Sequence, residues 1–260
     1  MNIHTRPTPP GLDALALEDS TGFARARVGL IIPSSNRLTE PHFRAYMPGD
    51  IGIHITRLQM TGRHNKSLDV LAKEVELAAS ALADARCDVI VFHCTGNSME
   101  HGPAGEKVLL DAVRSQSDAV ALTTAQAVVD ALKAVAIKKL VLISPYEQET
   151  NDHEIDYLAQ QGFETLHDVA LKVPMSQGYL SVPPSRWLEV VKENLRDDAD
   201  GYFLSCTNTT QIDVVERLEQ MLGKPVVNSN QATIWACLKA LRSRLGEMRQ
   251  VKGLGSLMQV

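Results

Sequence analysis

Residues 88–95 read DVIVFHCT and residues 200–207 read DGYFLSCT. Each begins with an aspartate, runs through a short apolar stretch and ends on Cys-Thr. Such a run suits a strand buried on both faces, as in a parallel sheet covered by helices. A second pair stands in register with the first. VGLIIPSSN (28–36) ends its apolar run at Pro33, and LVLISPYEQ (140–148) ends its run at Pro145. Pro33 precedes Cys94 by 61 residues, and Pro145 precedes Cys206 by 61. Further on, TTAQA (123–127) faces NSNQA (228–232). A register kept over a half of 112 residues, the offset from Cys94 to Cys206, points to a duplicated unit.

The rest of the chain alternates in the same way. Strand-like runs fall at Val28–Ile32, Ile51–Leu58, Val89–Phe92, Ala119–Leu122, Leu140–Ile143, Val169–Val173, Tyr202–Leu204 and Pro225–Val227. Amphipathic stretches lie between them at Ser67–Arg86, Ala125–Ala136, Trp187–Leu195 and Asp213–Leu222, with Ser67 as a helix cap. The βα order predicts an α/β fold of two pseudo-symmetric domains, each a parallel sheet flanked by helices, with the active site in the cleft between them. The expected boundaries are a disordered, Pro-rich arm over 1–24, a first domain over 25–122 plus 228–260, and a second over 123–227.

Composition narrows the function. The chain has 260 residues, 26 basic and 31 acidic, for a net charge of −5. No large positive field exists to hold a phosphate backbone, so nucleic acid is not an expected partner. No apolar stretch reaches 18 residues, so no membrane span is expected. The N-terminus lacks the apolar core of a signal peptide, and the expected location is cytoplasmic. Cys87, Cys94, Cys206 and Cys237 contain no CxxC pair, and they read as free thiols. Neither GxGxxG after the first strand nor GxxxxGK[ST] occurs, and no GxSxG elbow is present.

In open α/β sheets, ligands bind beyond the carboxyl ends of the strands. Pro33, Cys94, Pro145 and Cys206 all occupy such ends, so the two cysteines should approach one cleft from opposite sides. A Cys-Thr step between a strand and a helix places the thiol at a helix N-terminus, which favours thiolate. The backbone N–H groups of Thr95, Gly96, Thr207 and Asn208 can then hold a carboxylate. Two cysteines at matching positions of a duplicated unit point to a site, whereas Cys87 and Cys237 read as packing. Asn36 suits either a ligand contact or a helix cap, and Tyr146 either a ligand contact or a core position. His93 should point to the face opposite Cys94 and be structural. His64 and His101 fall in loops near the cleft; Met60, Met99 and Met175 either line it or fill gaps.

PSSN at 33–36 with Glu40, the CT steps at 94–95 and 206–207, SPY at 144–146 with Asn151, and GKPVVNSNQATIW at 223–235 resemble the maleate cis-trans isomerases. These are relatives of arylmalonate decarboxylase within the aspartate/glutamate racemase superfamily, and the resemblance runs from about Arg27 to Leu241. It implies a site with no cofactor and no metal, acting on a small carboxylic acid, in a homo-oligomer of two or more chains. It further implies that Cys94 is the nucleophile, that Cys206 gives and takes a proton, and that Asn36, Tyr146 and the backbone after each cysteine hold a carboxylate. Arylmalonate decarboxylases keep the second cysteine and lack the first; this chain has both. The alternative activities are racemisation, epimerisation or decarboxylation at a carbon alpha to a carboxylate. Two stretches depart from the family pattern. GNSMEHG follows the first cysteine, and the loop VPMSQGYLSVPP has Ser176 and Gln177 where asparagine is expected, which makes Ser176 the substrate-contact candidate there.

Overall fold

Side-chain alternation sets the position of the first strand. β1 (Ala26–Pro33) sends Val28, Leu30 and Ile32 into one core cluster and Ile31 into another, and all four are fully buried. Burial of both faces is why the run is almost continuously apolar. The computed structural model describes residues 24–60, 64–174, 178–246 and 251–260. The arm expected over 1–24 lies outside them except for its last residue.

After β1 come α1 (Thr39–Tyr46), β2 (Ile51–Leu58), α2 (Leu68–Asp84), β3 (Val89–Phe92), α3 (Thr95–Met99), α4 (Gly102–Arg114), β4 (Val120–Thr123) and α5 (Thr124–Ala134). The chain continues with β5 (Lys139–Ser144), α6 (Gln148–Gln160), β6 (Glu164–Ala170), α7 (Pro184–Glu193), β7 (Gly201–Leu204), α8 (Val215–Leu222), β8 (Val226–Asn228) and α9 (Ser229–Leu245). The strands form two four-stranded sheets, ordered β2-β1-β3-β4 and β6-β5-β7-β8, with every pairing parallel. The same permutation of strands occurs twice, so the duplication legible in the sequence is a duplication of topology.

The repeated aspartates explain themselves locally. Asp88 Oδ2 accepts the Arg27 backbone N–H at 2.8 Å, and Asp200 Oδ2 accepts the Lys139 N–H at 2.8 Å. Each carboxylate anchors the start of the central strand of its own sheet. One core joins the sheets: residues of β1, β3, β5 and β7 pack with α5 and α9 in a single cluster. A second cluster covers the other face of the first sheet beneath α2 and α4, and a third covers the second sheet beneath α7 and α8.

Two local expectations are corrected and a third is qualified. The strand expected at Val169–Val173 is β6 at Glu164–Ala170; it edges its sheet, is half-exposed, and so carries the polar residues that hid its start. Its ladder ends at Ala170, and the N–H groups of Lys172, with a φ of 51°, and Val173 go on to bond the Tyr146 and Pro145 carbonyls. Ser67 is the N-cap residue of α2, as expected, and its side chain makes no capping hydrogen bond. The stretch expected to be helical from Asp213 begins as a 3-10 turn (Thr210–Val214) before α8.

Candidate active site

Cys94 follows β3 and is itself the N-cap residue of α3, in extended conformation. Its thiol donates to Asn97 Oδ1 at 3.2 Å, and its side chain joins the cluster containing Met60 and Phe92. Thr95, Gly96 and Asn97 form the first turn of α3, whose N–H groups have no partner within the helix. The helix was expected to lower the thiol pKa. Burial instead pushes Cys94 up to about 12, against the backbone amide of Asn97, which pulls it down; the carboxyls of Glu154 and Glu100 add to the rise. One short helical turn does not offset the loss of water around the sulfur.

Cys206 follows β7, but no α-helix begins there. The chain turns through Thr209 into the 3-10 turn, and Cys206 has a φ of 121°. That region is rare for a residue with a Cβ and costs on the order of 1–3 kcal/mol, so the surroundings must enforce it. They do so from two sides. The Cys206 N–H donates to Ser229 Oγ at 3.2 Å, and the Asn208 N–H donates to Cys206 Sγ at 3.3 Å. Burial raises this thiol to about 12 as well, while the Tyr146 hydroxyl, a donor to the sulfur, and the Asn208 amide oppose the rise.

The two cysteine loops meet at Ser229. Its Oγ accepts from Thr95 Oγ1 at 2.9 Å and from the Cys206 N–H, so one hydroxyl ties both. Asn228 caps α9 in a reciprocal box with Gln231. Asn230 reaches sideways. It accepts from the His93 Nε2 proton at 2.8 Å and donates to His42 Nδ1 at 3.0 Å and to the Thr207 carbonyl at 3.1 Å. The NSN of 228–230 is thus the strut beneath both loops. Its sequence signal was visible, and its role was not.

Asn36 spends its amide within the protein. Nδ2 donates to the Thr207 carbonyl and hydroxyl at 3.3 and 3.0 Å, and Oδ1 accepts the N–H groups of Leu38 and Thr39 at 3.1 and 2.9 Å. Two donors and two acceptor sites are all an asparagine side chain offers. It caps its turn and also joins the two halves. Asn208 Oδ1 accepts the Arg37 N–H at 2.9 Å across the same junction.

His93 points away from Cys94, as expected. It is fully buried between Thr124 and Asn230, edge-on to Phe43, and burial lowers it to about 4, so its ring is neutral. His101 is exposed and lines a separate pocket with Glu100, His153 and Asp156. Glu40 pairs with Arg44 and Arg57 near the surface, and Glu147 is exposed. Ser176 and Met175 lie outside the described residues.

Two residues were missed. Tyr179, from the loop whose sequence departs from the family, packs edge-on against Tyr146 with ring centroids 5.5 Å apart, and the charges of both cysteines act on its hydroxyl. Glu154 on α6 is fully buried and acts on both thiols and on Tyr146. Its Oε1 accepts from Ser205 Oγ at 2.8 Å, and burial raises it to about 8. An acidic residue inside an amphipathic helix gives no sign in sequence that it faces inward.

Two like-ordered parallel sheets, each with a buried cysteine two residues beyond its third strand in a loop that leans on one shared serine, define a duplicated α/β class with a candidate two-thiol site. The chain belongs to the arylmalonate decarboxylase family, whose model matches residues 28–258. It is 27% identical over 229 residues to a maleate isomerase of Geobacillus stearothermophilus, covering 83% of this chain and 91% of that protein. It is 23% identical over 232 residues to an arylmalonate decarboxylase of Bordetella bronchiseptica, covering 88% and 95%. The fold matches that of a Nocardia farcinica maleate cis-trans isomerase mutant with a covalently bound succinylcysteine intermediate, with a TM-score of 0.80, 24% identity and coverage of 90% and 98%. Among the described residues, no group of three or more His, Cys, Asp or Glu side chains could hold a metal ion, and no helix is long and apolar enough to cross a membrane.

Proposed function

We propose that the chain is a cis-trans isomerase of a small unsaturated dicarboxylate, of the maleate-to-fumarate type, with Cys94 as nucleophile and Cys206 as proton donor and acceptor. The observation that carries this reading is the convergence of the Cys94 and Cys206 loops on Ser229. Relatives named maleate isomerase, and the succinylcysteine seen in the Nocardia protein, support it.

The cycle starts from ionised Cys94 and protonated Cys206. The Cys94 thiolate adds to one alkene carbon; a C–S bond forms as the π bond breaks, and the electron pair moves to the neighbouring carbon and its carboxylate. Cys206 gives that carbon its proton and becomes the thiolate. The former double bond rotates as a single bond. Cys206 then takes the proton back, the C–S bond breaks, and the trans alkene leaves with the site restored. Backbone N–H groups of Thr95, Gly96 and Thr207, with Tyr146, hold the carboxylates; Asn36 holds the Thr207 loop in place. Both thiols are raised alike by burial, so bound substrate must separate their protonation states.

Incubation with maleate, followed by proton NMR, tests the reading. Fumarate should appear, and Cys94→Ala and Cys206→Ala should each lose a factor of at least ~10²–10³. Full activity in either variant rules out the paired-thiol mechanism. A second reading, decarboxylation or racemisation alpha to a carboxylate with Cys206 as proton donor, is favoured by the decarboxylase family match. It predicts no fumarate, and for racemisation it predicts solvent deuterium at the α-carbon.

A further inference from the structure

We propose that Glu154 is a positioning residue of the two-cysteine site: as a neutral carboxyl it permits one thiolate, and as a carboxylate it keeps both sulfurs protonated. The proposal deepens the isomerase reading and rests on the two cysteines forming one site.

The geometry comes from three sides. Glu154 is fully buried on α6, and its Oε1 is held by the hydroxyl of Ser205, the residue immediately before Cys206. Its Oε2 is buried with no hydrogen-bond partner among the described residues. One turn earlier on α6, Thr150 approaches the start of α3: a Cβ on Gly96 would lie 3.5 Å from Thr150 Cγ2. Residues i and i+4 share a helix face, so Glu154 follows Thr150 on the side turned toward the Cys94 helix. One carboxyl therefore sits behind both cysteine loops. An unpaired buried carboxylate oxygen is costly, and the neutral acid is its stable form. The shift of Glu154 up to about 8 agrees with this.

Among the described residues, the charged groups bonded to α6 and to the turn after Cys94 include three further acids. Asp168 on β6 accepts from Gln148 and Asn151, Glu106 on α4 accepts from Tyr157, and Glu100 after α3 accepts from Asn97. Glu154 acts on Cys94, Cys206 and Tyr146, and no cation of the described residues is among the principal groups acting on either thiol. With amides and a hydroxyl as its donors, the site cannot carry a thiolate, a substrate anion and an ionised Glu154 together. The duplication sharpens the point. The residue at the offset of 112 in the first half is His42, which is neutral and hydrogen-bonded to Asn230, so only the second half places an acid here.

The test is the pH dependence of thiol alkylation by iodoacetamide, read cysteine by cysteine with peptide mass spectrometry in the full chain. It requires no turnover. Glu154→Gln keeps the shape and the bond from Ser205 while removing the charge. Near pH 6.5 its Cys94 and Cys206 should react within about twofold of the natural chain. At pH 9.5 they should react about tenfold faster, the effect of lowering a thiol pKa by one unit. Cys87 should be unchanged throughout. Ser205→Ala removes a bond that favours the carboxylate, so Glu154 ionises at a higher pH in this variant, whose Cys94 and Cys206 should outpace those of the natural chain just above about pH 8; this comparison decides the matter if Glu154→Gln does not fold. Alkylation profiles of Cys94 and Cys206 parallel to the natural chain at every pH, in either folded variant, overturn the proposal. Since alkylation is independent of maleate, a chain that shows these shifts yet makes no fumarate refutes the isomerase reading and leaves Glu154 in place.

Discussion

Asn230→Ala should be among the most destabilising single changes outside the apolar core. The side chain is fully buried and serves three partners: the His93 Nε2 proton, His42 Nδ1 and the Thr207 carbonyl. The Thr207 carbonyl keeps Asn36 at 3.3 Å and Thr39 Oγ1 at 3.2 Å, so it is not orphaned. The two imidazole nitrogens are. His93 is fully buried and His42 is 7% exposed, so water cannot replace the lost bonds. Each orphaned buried group costs about 1–3 kcal/mol, which puts the loss for the two at roughly 2–6 kcal/mol. For a chain of this size, at about 2–4 °C per kcal/mol, that corresponds to a fall in Tm on the order of 4–24 °C. Urea unfolding followed by circular dichroism at pH 7.5 measures it, with the midpoint shifting and the slope unchanged. A loss below about 1 kcal/mol would mean that the strut does not bear on the two loops as described.

Cys206→Gly should be more stable than Cys206→Ala by about 1 kcal/mol, because only glycine adopts a φ of 121° without strain. The usual helix or loop preference for alanine, measured in the same thermal melts, would reverse that order. Glu154 predicts a stability difference that depends on pH. Its folded pKa is raised from 4.5 to about 8, so the folded chain binds more protons than the unfolded one across that window. Its contribution is full below the unfolded value and is lost as pH rises toward 8, by roughly 4 kcal/mol. Glu154→Gln should match the natural chain near pH 4.5 and exceed it progressively up to pH 8.5. His93 changes stability in the opposite sense at acid pH, but it is common to both chains and cancels in the difference. A difference that stays flat with pH contradicts the burial argument.

The sequence exposed what repeats and what is apolar. Asp88, Cys94, Asp200 and Cys206 recur at one offset because each half needs the same anchor and the same strand end, and the strands between them are apolar because both faces are covered. Ile51–Leu58 and Val89–Phe92 were legible to the residue. β6 was not, because an edge strand with one face toward solvent mixes polar residues into its run. At the candidate site, Cys94, Tyr146 and Cys206 were proposed from their motifs. What holds them could not. Ser229 and Asn230 act across more than 130 residues of chain separation, on Thr95 and His93 respectively, and no local pattern announces a bond of that span. Glu154 was hidden for a related reason: carboxylates on amphipathic helices usually face water, and its burial follows from the packing of α6 against the Cys94 helix. The expected drop in thiol pKa failed because local helix geometry is readable in sequence and desolvation is not.

Rotation about a carbon–carbon double bond requires its temporary loss, so an isomerase of this design must bind substrate covalently. The direct measurement is rapid acid quench of the protein with maleate, followed by mass spectrometry of the peptides carrying Cys94 and Cys206. The account predicts that the Cys94 peptide gains the mass of one substrate, and that Cys206→Ala, which lacks the proton donor, makes no fumarate. Fumarate production with no adduct on Cys94, or an adduct confined to Cys206, would contradict it.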